Sequence, residues 1–125
     1  MNREGWLTEL AGKVEYLFKG WDLHPYRVTC GWPCVGALGR KSRRVGECHG
    51  AKASKGGMFE IFISPVLDNS LEVAGTVIHE MAHVVAGIEA KHGKGFIKVA
   101  KHVGLTRGKP SSAEPGERLN DTLRR

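Results

Sequence analysis

The chain has 125 residues, 41% of them hydrophobic and 26% charged, with a net charge of +6. This fits one globular domain with a single core; no apolar run is long enough to span a bilayer, and the N-terminus MNREGW lacks a secretory signal's layout. Three cysteines, an odd count without secretory context, point to reduced thiols in the cytoplasm rather than a disulfide framework.

Taken in order, Trp6, Leu7, Leu10, Ala11, Val14, Leu17 and Phe18 recur at helical spacing, and Gly20 is placed to end the run. The pattern predicts an amphipathic helix with its apolar stripe on the core. Tyr26, Val28, Cys30 and Trp32 alternate with Arg27, Thr29 and Gly31, the period of a half-buried strand. Residues 34–43 are glycine-punctuated and lead into the basic cluster Arg40, Lys41, Arg43 and Arg44. A second strand is expected over residues 45–49 and a third over 58–64, with Phe59, Ile61 and Ile63 on one face. Cys30, Cys34 and Cys48 have spacing looser than common zinc modules and read as free thiols.

A helix beginning near Ser70 follows, with Leu71, Ala74, Ile78, Met81, Ala82 and Val85 on its expected core side. It carries His79-Glu80-Met81-Ala82-His83. Helix residues four apart share one face, so His79 and His83 can present two imidazoles to one metal ion. Glu80 is then the candidate general base beside the open coordination position. A third ligand is needed, and the downstream candidates are Glu89, His92 and His102. Glu89 would fall about 240° round a continued helix from His83. His92 opens the segment His92-Gly93-Lys94-Gly95-Phe96, whose glycines allow the chain to turn back, and it is the favoured third ligand. The metzincin pattern is excluded, because Ala86 and Glu89 stand where it requires Gly and His. A short helix from about residue 96 to 103 is predicted next, with Phe96, Val99, Ala100 and Val103 inward and Lys94, Lys98 and Lys101 outward. Residues 106–125 read as a polar tail after a domain spanning residues 1–105.

The ordered segments TVIHEMAHVVAG and HGKGF, with RVTCGW, RVGEC and EIFISP upstream, resemble the SprT/Spartan family of zinc metallopeptidases. The likeness covers most of residues 5–105. It implies peptide-bond hydrolysis and a link to proteins bound on DNA. One departure is plain: larger relatives carry a C-terminal four-cysteine zinc ribbon, and here no cysteine follows Cys48.

The resulting expectation is a small zincin-like α+β domain: an N-terminal helix, a three-stranded, mainly antiparallel sheet, the HExxH helix and a short following helix. It would hold one Zn²⁺ on His79, His83 and His92, act as a monomer on protein or peptide, and use Glu80 as the base. Charge is segregated, with residues 58–90 at −5 and residues 27–57 and 91–125 at +6 each. That asymmetry suits DNA as a partner, with Arg40, Lys41, Arg43, Arg44, Lys94 and Lys98 as candidate contacts. The competing readings are a basic nucleic-acid-binding module with structural zinc and no protease activity, and a zinc hydrolase of RNA.

Overall fold

A computed structural model describes residues 3–30, 46–49, 58–63, 70–87 and 92–105. Cys34, Arg40, Lys41, Arg43, Arg44, Glu89 and the expected tail lie outside the described residues. The first helix, α1, is Arg3–Val14, and a 3-10 turn over Glu15–Phe18 continues it to Gly20. Gly20 has φ 90°, a left-handed conformation that glycine adopts without steric cost. Leu7, Ala11, Val14 and Phe18 are buried at helical intervals. Trp6, expected on the same stripe, is instead 39% exposed, because the buried line runs one position further round the helix.

Three strands follow: β1 (Tyr26–Cys30), β2 (Gly46–His49) and β3 (Phe59–Ile63). The mainly antiparallel sheet expected from the sequence does not form. The sheet is mixed, in the order β1-β3-β2. Its five-residue pairing, Tyr26↔Phe59 to Cys30↔Ile63, is parallel, and only the four-residue pairing of β2 with β3 is antiparallel. The physical reason lies in β3. Its Ile61 and Ile63 are fully buried, so the most apolar strand takes the centre. The short sequence Gly-Glu-Cys-His of β2 suits an edge. With β3 between them, the sequential strands β1 and β2 never meet. Arg27 and Glu60 are register partners in the parallel pair, and Arg27 Nε donates to Glu60 Oε1 at 3.0 Å. The Tyr26 hydroxyl donates to Glu15 Oε2 at 2.7 Å, which ties β1 to the 3-10 turn.

Helix α2 (Ser70–Ala86) packs on β2 and β3, touches α1, and is covered by α3 (Lys94–Val103). Residues 73–82 are consequently buried without a break. The expected one-sided stripe is thus too narrow: Val73, Val77 and Val84 are as buried as Ile78 and Met81. A helix enclosed on several sides loses the amphipathic signature by which one face is read. Helix α3 begins two residues earlier than the sequence pattern suggests. Its Phe96, Val99, Ala100 and Val103 are buried as expected, and Lys94, Lys98 and Lys101 are exposed. Gly104, at φ 100°, ends it with its N–H shared between the carbonyls of Ala100 and Lys101. No helix among the described residues is long and apolar enough to cross a membrane.

Candidate metal centre

The 3.6-residue period stacks His79 and His83 on one side of α2, with ring centroids 5.1 Å apart. The helix stops at Ala86 because Gly87 takes φ 90°, and the Gly87 N–H closes the last turn on the His83 carbonyl at 2.9 Å. Gly87 thus ends α2 five residues before His92. Gly93 is extended (φ −80°, ψ −164°) and caps α3, and Gly95 lies inside that helix.

His92 comes back onto α2. Its Nε2 lies 3.2 Å from Nε2 of His83 and 3.3 Å from Nε2 of His79. Ligand atoms of the three residues all fall within 4.8 Å of one another, a group able to hold a metal ion. Tetrahedral bonds of about 2.0–2.1 Å place neighbouring ligand atoms about 3.3 Å apart, the spacing found here. Hydrogen bonding alone fits the triangle poorly. His92 Nε2 sits close to two other nitrogens, and a single N–H can serve only one acceptor well. The three imidazoles together would suit a cation.

Among the described residues, the other candidate ligand, His102, is not in this cluster. His102 lies on the exposed side of α3, edge-on to Trp21 with centroids 5.4 Å apart. Glu89 is past the end of α2 and outside the described residues.

His79 is buried, His83 half-buried and His92 exposed, so the cluster runs from the core to the surface. Glu80 is 6% exposed and lies about 100° round the helix from His79. Its charge acts on Cys48 of β2: burial first, and then the Glu80 carboxylate, push the Cys48 thiol well above its usual range. The thiol is therefore neutral near pH 7, and α2, which carries Glu80, packs against the edge strand β2. Cys30 and Cys48 are both free. They are opposite Ile63 and Ile61 on the two outer strands. That separation is two strand spacings, about 9.5 Å, beyond the Cα–Cα range of a disulfide.

Two features of the site had no clear sequence signal. The influence of Glu80 on Cys48 depends on strand order. Phe96 meets all three imidazoles, with centroid distances of 5.0 Å to His79, 4.4 Å to His83 and 4.9 Å to His92. Its position four residues after His92 was the available hint.

A helix bearing two histidines one turn apart, joined by a third that follows it in the chain, forms a three-histidine group able to hold a metal ion. The model of the SprT-like family matches residues 33–119. That is well over half of the chain, and the protein belongs to the SprT-like family. No curated protein and no solved structure matches it.

Proposed function

We propose that this protein is a zinc-dependent peptidase whose ion is held by Nε2 of His79, His83 and His92. The observation that carries the reading is the pair of Nε2 contacts of His92 with His83 and His79, at 3.2 and 3.3 Å; the buried Glu80 follows His79 directly on the same helix. Three imidazoles suit zinc among several transition ions, and three protein ligands leave a position for water, as catalytic zinc sites do. When bound, the ion supplies a Lewis acid and lowers the pKa of its water to about 7. Glu80 takes the proton from the attacking water and returns it to the leaving amine. The edge strand β2 packs against α2, which carries Glu80, so an extended peptide can add to the sheet there through main-chain hydrogen bonds. All three ligands come from one chain, so a monomer suffices. The free thiols of Cys30 and Cys48 suit a cytoplasmic setting.

The zinc-loaded chain should cleave casein or DNA-bound protein and leave RNA intact, and chelation should abolish the cleavage. Hydrolysis of RNA alone would replace the peptidase reading with a nuclease. Zinc bound stoichiometrically without turnover on any substrate would favour a structural metal.

Association with DNA has separate support. Lys94, Lys98 and Lys101 are exposed at near-helical intervals on α3, and Lys94 is two residues from His92. Such a stripe can follow a phosphate backbone next to the metal centre. Binding to labelled DNA, read by anisotropy, should weaken steeply with salt. Replacing the three lysines by Ala should reduce the log–log salt slope by about 2.7, from about 0.9 per phosphate contact, with zinc content unchanged. An unchanged slope would remove α3 from the interface.

A further inference from the structure

We propose that Phe96 is a positioning residue, the aromatic backing that holds the three imidazoles converged. The inference rests on the metal-centre reading above and assigns a residue that binds nothing itself. Histidine χ2 is a broad torsion, so three rings on two segments do not by themselves aim three Nε2 atoms at one point. Something must limit each rotation. Phe96 is 0% exposed and meets each ring in a different way. It stacks on His83 at 26°, meets His79 at 60°, and stands nearly perpendicular to His92 at 83°. Rotation of any one imidazole about χ2 would drive it into the phenyl ring or open a gap against it.

The local backbone explains why one residue can do this. Gly93 caps α3, and its carbonyl accepts the Ile97 N–H at 2.9 Å, which closes the first turn directly after His92. His92 and Phe96 therefore arrive together, ligand and backing on one short segment. Burial fixes the phenyl ring, and the fixed ring in turn sets the planes of His79 and His83 on the other helix. Aromatic contacts of this kind have preferred ring geometries as well as buried area. Their directionality matters more here, because aliphatic chains would fill the space without defining a plane.

The test compares Phe96→Leu and Phe96→Met with Phe18→Leu, which makes the same change at a buried phenylalanine at the end of the 3-10 turn. Zinc affinity is measured by chelator competition, the cobalt-loaded visible spectrum reports coordination geometry, and thermal unfolding of the metal-free chains reports the fold. Both Phe96 variants should lose zinc affinity by about 10- to 100-fold, the range for residues that orient metal ligands. Their cobalt spectra should shift or broaden. Phe18→Leu should lose thermal stability while keeping parental affinity and spectrum. Parental affinity and spectrum in either folded Phe96 variant would overturn the proposal. So would an equal loss of affinity in Phe18→Leu, since general loosening would then explain it. A parent chain that binds neither zinc nor cobalt would overturn the metal-centre reading itself, and this proposal with it.

Discussion

Glu80→Gln should leave a folded, zinc-binding protein whose turnover is reduced by about 10²- to 10⁴-fold, the range attributable to a positioned general base. The amide matches the carboxylate in shape but does not accept a proton from water at neutral pH. Position makes the substitution informative. Glu80 is nearly buried, adjacent in sequence to His79, and outside the set of three histidines whose ligand atoms converge. Its loss should therefore separate chemistry from metal binding. Zinc content and circular dichroism serve as controls beside a peptidase assay. Parental turnover in a zinc-loaded Glu80→Gln chain would remove Glu80 from the mechanism.

The second large effect is expected at the histidines. His79→Ala, His83→Ala and His92→Ala should each lower zinc affinity by more than the about 10- to 100-fold that outer-shell changes cost, because a two-ligand remnant holds the ion poorly. His92→Ala is the cleanest of the three. The residue is exposed, so truncation leaves no core cavity. His79 is 6% exposed, so its truncation should destabilise the fold as well. His102→Ala should keep full affinity, since that ring packs on Trp21. Chelator competition ranks the four variants. Normal affinity in His92→Ala would transfer the third ligand elsewhere.

Much of this site was legible in the sequence because its signals are local. The i, i+4 spacing of His79 and His83 needs only a helix, and apolar period together with glycine punctuation indicates α1, α2 and α3. His92, the favoured third ligand, lies with His79 and His83. Gly87 has the left-handed backbone that ends α2, while Gly93 caps α3 and Gly95 lies within it. Strand direction was not legible. Alternation in Tyr26, Val28 and Cys30 tells which face is buried, and that holds equally for parallel and antiparallel neighbours. Nor could the contact of Phe96 with His79 and His83 be read, since it joins two helices through tertiary packing.

The mixed sheet has a consequence for the order of assembly. β2 and β3 are joined by nine residues and can pair as a local hairpin, whereas the parallel partner of β1 begins only at Phe59. Loop closure makes distant pairings slower to form. β1 can enter the sheet only through β3, so it is expected to join a hairpin already formed. The half that can assemble locally is β2, β3, α2 and α3, which includes every residue of the metal centre. It also falls within the residues matched by the family model. On this view α1 and β1 act as a late clasp: they bury the far side of the core after the histidines have been brought together.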